Sequence, residues 1–362
     1  MEPPTGFAEL PGYLERLTRS GERVLVVLLD AFGMRFVERH ADHPLLRRLD
    51  EIRPLEAQFP TTTTAEMTTL HTGLPVGLHG LYEWNVYEPA LQRVITPLRF
   101  SFAGDAEPDT LVASGFEARQ LLAEAPTFYE RLGAAGTASF VLEPFGPTTY
   151  SRLVTRGAEL RRYRALGDGV RAAAEALSSV DRGYALVYFP GIDAAGHVHG
   201  PSSPEFAAAS TTALDAIDEA LAKTSGLSVL LTADHGQVDV DPSRTIWLDE
   251  LHPPLADLPL RPAGSARDVF LHVPEDDVEA TLQALGPHVE AHRVEEMVEA
   301  GVFGAEVAEQ LRRRLASVCV LPPPDRMAWL RCAPDGALQF LGHHGGRTAD
   351  ESRTWLGTLD LP

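Results

Sequence analysis

The chain has 362 residues, of which 44% are hydrophobic and 23% are charged, a composition typical of a globular protein with a large core. Its formal net charge of −20 disfavours non-specific binding to nucleic acid or anionic membranes, so we expect neither as a partner. The longest apolar runs are too short to span a bilayer. The N-terminus lacks a secretory pattern and the two cysteines form no metal-type cluster, so we expect a cytoplasmic protein. The sequence does not indicate an oligomeric state.

Three apolar runs, each followed by an aspartate, are typical of strands buried on both faces of a parallel sheet. They are 24–29 before Asp30, 185–189 before Asp193, and 227–232 before Asp234. We predict further strands at 55–59 and 138–142, and helices at 12–19, 34–49, 127–132, 158–179 and 204–223. This alternation predicts an α/β fold with a doubly wound, mostly parallel sheet flanked by helices. Right-handed crossovers bring the three aspartates to one edge of the sheet, although a helix N-cap explains Asp30 alone equally well.

Residues 59–73, FPTTTTAEMTTLHTG, place four threonines at the start of a predicted helix. One interpretation is an N-cap, in which a hydroxyl accepts from the free N–H groups of the first turn. The other is a nucleophile whose attacked phosphate binds those same N–H groups at the positive end of the helix dipole. The stretch alone favours capping, because caps are so common.

Two later segments interrupt the regular alternation. Residues 81–115 show no clear period, and we interpret them as loops over one face that contact the substrate. Residues 253–334 contain proline-rich breaks, and we interpret them as an inserted cap subdomain. The α/β core then comprises 1–252 and 335–362, with a last core strand at 337–341.

Aspartates and histidines are concentrated at the predicted strand ends. Asp193 and His197 are four residues apart, so one helical turn lets both reach one ion. Asp234 and His235 are adjacent, and His344 lies in the glycine-rich loop GHHGG. Together with Asp30, these ligands exceed what one tetrahedral ion needs and fit two ions in a shared cleft. Carboxylates and imidazoles favour zinc, with manganese or iron as alternatives.

Two metal ions near a hydroxyl are suited to in-line displacement at phosphorus. One of the threonines would supply the attacking oxygen, which implies a covalent phosphothreonine intermediate that water hydrolyses in a second step. The ordered motifs, strand-end Asp30, FPTTTTAEMTTLHTG, GIDAAGHVHG, TADHG and GHHGG, resemble the alkaline phosphatase superfamily. Within it, they are most similar to the nucleotide pyrophosphatase/phosphodiesterase branch. The resemblance covers 24–346 except the insert.

The resemblance implies a role for each matched residue. The pattern F-P-[ST]-x-T places the nucleophile at Thr63. One metal would bind Asp30, Thr63, Asp234 and His235, and the other Asp193, His197 and His344, with His344 preferred over His343. Asn85 and the backbone N–H of Thr64 would bind phosphoryl oxygens, although the spacing to Asn85 is one residue longer than in the family.

The predicted function is therefore a di-metal phosphodiesterase or pyrophosphatase that acts on a small phosphate ester, with nucleotides among the candidates. Alternatives within the superfamily are a phosphomonoesterase, a phosphonoacetate hydrolase-like enzyme that cleaves a C–P bond, and a metal-dependent phosphomutase. A non-catalytic metal-bound scaffold would predict loss of the nucleophile or of several ligands. Residues 65–67, Ala-Glu-Met, stand where nucleotide-cleaving members typically carry Pro-Asn-His, and this weakens any prediction of nucleotide specificity.

Overall fold

A seven-stranded sheet forms the centre of the computed structural model, which describes residues 2–122 and 125–362. In chain order its strands are β1 (Arg23–Leu29), β2 (Glu51–Glu56), β3 (Ala138–Glu143), β4 (Glu159–Arg162), β5 (Gly183–Phe189), β6 (Leu227–Thr232) and β7 (Arg353–Leu361). Their spatial order is β2-β7-β6-β1-β5-β3-β4. Every pair is parallel except those of β7, which is antiparallel to both β2 and β6. The predicted α/β fold with a mostly parallel sheet is confirmed.

Strand β1 lies in the middle of the sheet because its apolar side chains fill two separate cores. Leu25, Val27 and Leu29 pack on one face, and Val24, Val26 and Leu28 pack on the other. Burying one such side chain contributes about 1.5–3 kcal/mol, so a strand apolar on both faces is stable only between two layers of helices.

Helices cover both faces of the sheet. Leu166–Ser178 and Pro204–Leu221 pack on the face of Leu25, and Leu10–Arg19 and Thr63–Thr72 on the face of Val24. The other helices are Met34–Arg39, Pro44–Arg48, Val76–His79, Phe128–Ala134, Thr149–Val154, Gly191–His199, Leu248–Leu251, Val278–Leu285, Val294–Glu299, Glu309–Arg314 and Ala349–Ser352. In the described part of the chain, no helix is long and apolar enough to cross a membrane.

The structure corrects four element predictions. The helix predicted at 34–49 is two short helices, and that at 158–179 begins with strand β4. Residues 81–115 are not only loops: Val86–Glu88, Arg93–Thr96 and Ser101–Phe102 form a small antiparallel sheet. The strand predicted at 337–341 is wrong, because Gly336–Gln339 forms a 3₁₀ helix. The last core strand is β7, at 353–361, where we predicted no element from the sequence.

The segment 253–334 contains an antiparallel sheet of its own. Its strands, in spatial order, are Ala263–Ser265, Asp268–Leu271, Val318–Leu321 and Glu290–Arg293. One face packs with side chains from residues 81–115, including Tyr82 and Val86. The segments 81–115 and 253–334 therefore share a hydrophobic core.

Candidate active site

Strand pairing brings the three strand-end aspartates together. Leu29 at the end of β1 is in register with Phe189 at the end of β5, and Leu28 is in register with Thr232 at the end of β6. Asp30 follows β1 directly, Asp234 is the second residue after β6, and Asp193 lies in the first turn of helix Gly191–His199. Parallel pairing therefore places all three carboxyl groups at one edge of the sheet.

The carboxylates and imidazoles form two triads. Asp30, Asp234 and His235 have ligand atoms within 4.8 Å of one another, and so do Asp193, His197 and His344. In the first triad, His235 Nε2 lies 3.6 Å from Asp30 Oδ1 and 3.5 Å from Asp234 Oδ2.

In the second triad, Asp193 Oδ1 lies 3.2 Å from His197 Nε2 and 3.8 Å from His344 Nε2. The rings of His235 and His344 stack with centroids 3.9 Å apart, so the two triads are adjacent. The structure thus brings together all six predicted Asp and His ligands, in the two groups that the resemblance implies.

Each histidine is oriented by a backbone carbonyl. His197 Nδ1 donates to Gly342 O at 2.7 Å, His235 Nδ1 to Gly236 O at 3.0 Å, and His344 Nδ1 to Thr61 O at 3.0 Å. A carbonyl only accepts, so each Nδ1 carries the hydrogen and each Nε2 lone pair faces the triads. This arrangement is typical of metal-binding histidines. The neighbouring His343 instead turns its Nε2 to Ala337 O at 2.9 Å.

The charges of the triads fit bound cations. Burial, together with the nearby Asp234 and Asp193, raises the pKa of Asp30 well above its usual range. Asp234 Oδ2 is buried and has no hydrogen-bond partner among the described residues. Clustered buried carboxylates and an unpartnered oxygen are costly unless cations neutralise them.

The imidazole of His344 is in the state that a metal needs. Burial, and then the neighbouring His235, holds the pKa of His344 well below its usual range, so this ring is neutral at pH 7. Burial alone would raise the pKa of Asp193, but His197 and then His344 lower it below its usual value. Burial alone would lower the pKa of His197, but Asp193 raises it, so these two side chains form an ion pair that a bound metal ion would replace.

Thr63 is the threonine that faces the triads. Its Oγ1 lies 3.4 Å from Asp30 Oδ1 and 3.2 Å from His235 Nε2. Thr63 is the first residue of helix Thr63–Thr72, at the positive end of the helix dipole. Its hydroxyl therefore lies beside both the proposed ligands and free N–H groups.

The other three threonines have different surroundings. Thr61 Oγ1 donates to Gly346 O at 2.9 Å. Thr62 is the helix N-cap: its Oγ1 accepts from Ala65 N at 3.3 Å and donates to Tyr82 O at 3.1 Å. Thr64 Oγ1 is buried and has no hydrogen-bond partner in the part of the chain that the structure describes. Thr62 therefore caps the helix, while Thr63 faces the triads.

A cavity of about 500 Å³ opens beside the triads. Thr63, Thr64 and Asn85 line it together with Asp193 and His197. Asn85 Oδ1 accepts from Thr96 Oγ1 at 3.0 Å, which leaves its Nδ2 hydrogens free to donate to a ligand. The two predicted phosphoryl-binding residues therefore lie in the same cavity as the proposed nucleophile.

Sequence reasoning missed two residues that hold proposed ligands. The Tyr188 hydroxyl donates to Asp30 Oδ2, and Gln237 Nε2 donates to Asp193 Oδ1 at 2.8 Å. Tyr188 is the one polar-tipped side chain near the end of the apolar strand β5, and Gln237 lies two residues beyond His235. Their positions carried a signal, but the contact partners are distant in sequence.

Comparisons with known proteins agree with this geometry. A family model described as type I phosphodiesterase/nucleotide pyrophosphatase matches residues 24–347. A comparison with curated proteins found no match.

Among solved structures, human ectonucleotide pyrophosphatase/phosphodiesterase 5 is similar with a TM-score of 0.71 and 19% identity, over 93% of this chain and 87% of that one. The murine protein, solved as an inactive variant in complex with AMP, has a TM-score of 0.70 and 18% identity, over 93% of this chain and 87% of that one. Phosphonoacetate hydrolase from Sinorhizobium meliloti 1021, in complex with phosphonoacetate, has a TM-score of 0.66 and 17% identity, over 94% of this chain and 91% of that one. At these identities the likeness establishes a shared fold.

Proposed function

This chain belongs to the type I phosphodiesterase/nucleotide pyrophosphatase family, and from that premise we propose that it hydrolyses phosphodiesters with Thr63 as the nucleophile. The family predicted from the motifs is confirmed, and with it a hydrolase of phosphoric esters. The identity of the nucleophile, the presence of metal ions and the preference for diesters go beyond the family assignment, and we propose them here.

One observation carries the choice of nucleophile. Of the hydroxyls at positions 61–64, only that of Thr63 lies within 3.5 Å of triad atoms, at 3.4 Å from Asp30 and 3.2 Å from His235 in the described structure. A nucleophilic hydroxyl needs groups beside it that favour loss of its proton, and this position provides them.

The chain's own residues account for both chemical steps. Thr63 Oγ1 releases its proton to water, attacks phosphorus and forms a new P–O bond, while the ester oxygen departs with the electron pair of the bond that breaks and takes up a proton from water. The Thr64 N–H and Asn85 Nδ2 donate to the phosphoryl oxygens as negative charge develops on them. Water then cleaves the phosphothreonine and restores the Thr63 hydroxyl, releasing the phosphorylated product.

We propose two divalent ions, most simply zinc with manganese as the alternative, held by Asp30, Thr63, Asp234 and His235 and by Asp193, His197 and His344. When bound, such ions supply Lewis-acid polarisation and lower the pKa of an attacking oxygen. The unpartnered Asp234 Oδ2 and the inward Nε2 atoms support this assignment. A cytoplasmic location stays a prediction; both cysteines, Cys319 and Cys332, are free thiols.

A substrate panel tests the proposed function. Protein loaded with zinc or manganese is assayed with bis(4-nitrophenyl) phosphate, 4-nitrophenyl phosphate and phosphonoacetate. We expect the diester to be hydrolysed fastest. Faster monoester or phosphonate cleavage would support the phosphomonoesterase or C–P hydrolase alternative, and conversion of one sugar phosphate isomer to another would support the phosphomutase. Protein that holds two metal equivalents and cleaves none of these substrates contradicts the proposal.

A further inference from the structure

Large apolar side chains form much of the cavity wall next to the second triad. Trp84, Trp329, Leu338 and Phe340 line it, and the Phe340 ring lies with its centroid 4.8 Å from that of His197. The Trp329 indole N–H donates to Ala333 O at 2.7 Å, so this side chain offers the cavity only apolar surface. At about 500 Å³ the cavity is within the usual range for small-molecule sites.

Within residues 2–122 and 125–362, no lysine or arginine lines this cavity. Two arginines of the surrounding segments, Arg267 and Arg261, are already paired. Arg267 is buried and donates to Glu351 at 3.1 Å and to two backbone carbonyls at 2.6 Å. Arg261 pairs with Asp335 at 3.2 Å. In the part of the cavity away from the proposed metal ions, a negatively charged substituent would therefore lose its water without gaining a lysine or arginine as a partner.

The acidic side chains of the wall are also occupied. Asp335 Oδ1 accepts from Ala337 N at 2.9 Å, and its other oxygen accepts from Arg261. Glu83 accepts from the Trp84 N–H, and its carboxyl group lies beside that of Asp268. A second anion entering the cavity would meet carboxyl groups and aromatic rings.

We propose that the ester group bound in this cavity is uncharged and apolar, aromatic or aliphatic, and that the cavity disfavours groups with a carboxylate or a second phosphate. The proposal rests on the proposed function, which places the reacting phosphorus at Thr63. It assigns specificity to Trp84, Trp329, Leu338 and Phe340.

Paired phosphonates test the proposal directly. Benzylphosphonate and (4-carboxybenzyl)phosphonate differ only in one carboxylate, and each has a single organic group that can enter the cavity. Their binding to the metal-loaded full chain is measured by calorimetry, and their competitive inhibition of bis(4-nitrophenyl) phosphate hydrolysis by kinetics. We expect the carboxylate to weaken binding by about tenfold or more.

A charge variant identifies the cavity as the cause. Ala337→Lys introduces a cation into the cavity wall. It should reduce the ratio of the dissociation constants of (4-carboxybenzyl)phosphonate and benzylphosphonate to about threefold or less. Gln339→Lys adds the same charge to an exposed position of the same 3₁₀ helix, outside the cavity wall, and should leave the ratio unchanged.

Three outcomes contradict the proposal. Equal binding of the two phosphonates by the parent protein would overturn it while leaving diester hydrolysis intact. If both lysine variants reduced the ratio of the two dissociation constants equally, the weaker binding of the carboxylate would be due to the net charge of −20 rather than to the cavity. Absence of both phosphonate binding and ester hydrolysis would overturn the proposed function, and this inference with it.

Discussion

Four adjacent threonines have four different environments because each side chain leaves the backbone in another direction where a strand turns into a helix. Thr62 has extended backbone angles, φ −135° and ψ 149°, which direct its hydroxyl back to the first turn as an N-cap. Thr63 is the next residue and already helical, and its hydroxyl faces the triads. Stabilising the helix and performing the chemistry are therefore separable by mutation.

We expect Thr63→Ala to lower turnover of a diester by roughly 10³-fold or more while both metal equivalents are retained, because the attacking oxygen is lost. Thr62→Ala is the matched control. It should cost about 1 kcal/mol of unfolding free energy through loss of the cap and keep most of the activity. Turnover, metal content and urea denaturation are measured on both variants. The register is wrong if Thr62→Ala is the inactive variant.

The second triad can be tested separately from the first. Asp193→Asn removes a charged ligand, and we expect the purified protein to hold about one metal equivalent instead of two. Gln237→Leu removes only the hydrogen bond that orients Asp193, so both ions should bind, with affinity lower by about 10–100-fold. Metal titration followed by elemental analysis gives both numbers. Two tightly held equivalents in Asp193→Asn would refute this ligand assignment.

At the scale of elements, a carboxyl pair connects the loop that carries Asn85 to the inserted sheet. Glu83 and Asp268 are fully buried neighbours, and each has one oxygen without a hydrogen-bond partner in the described structure. Asp268 Oδ1 accepts from Ser265 N at 3.1 Å. Two buried carboxyls can hydrogen-bond only while they share a proton, so this contact depends on pH.

We expect the free energy of unfolding to decrease as pH rises from about 4.5 to about 8. Burial raises the pKa of Glu83 from 4.5 to about 8, and burial and then Glu83 raise that of Asp268. Over this window the folded state keeps a proton that the unfolded state releases, so alkali favours unfolding. Asp268→Asn supplies a permanent hydrogen-bond donor. It should reduce this decrease in the free energy of unfolding by an amount on the order of 1–3 kcal/mol.

Urea denaturation at about pH 6 and about pH 9 measures this slope for parent and variant. Glu296→Gln, which removes an exposed acid from the same insert, is the control and should keep the slope of the parent. A parent-like slope in Asp268→Asn would show that the carboxyl pair does not share a proton.

At the scale of the whole molecule, the active site joins parts of the chain that fold around different cores. Asp30 and Asp234 follow strands of the main sheet, Asn85 precedes the small antiparallel sheet, and Ala266 and Trp329 come from the segment 253–334. Acidic side chains converge at this junction although the protein already has a net charge of −20. Bound cations would offset that repulsion.

We therefore expect metal removal to destabilise the entire fold. Ligands that bind only the folded state contribute about 4 kcal/mol per site at a concentration 1,000-fold above Kd. Chelation should lower the melting temperature, and zinc should restore it. In Asp193→Asn the effect of chelation should be smaller, since fewer ions are bound. Calorimetric melting with and without chelator measures this, and identical melting curves for the parent would contradict it.

The sequence by itself determined the features that depend on local pattern. Mostly apolar runs predicted β1, β5 and β6, because a strand buried on both faces is composed largely of apolar residues. The aspartates after these strands and the threonines before a helix predicted the edge where the site lies. The strand predicted at 337–341 failed because five residues of apolar character do not distinguish a strand from a 3₁₀ turn.

Only the tertiary structure decided which side chains meet. The separation of Thr62 from Thr63 depends on dihedral angles at a single turn, and the grouping of the ligands depends on the register between β1, β5 and β6. Tyr188 contacts Asp30 across 158 residues of sequence, and Trp329 reaches the cavity from the insert. Such contacts follow from long-range packing, which no local pattern encodes, and that packing determines what the cavity binds.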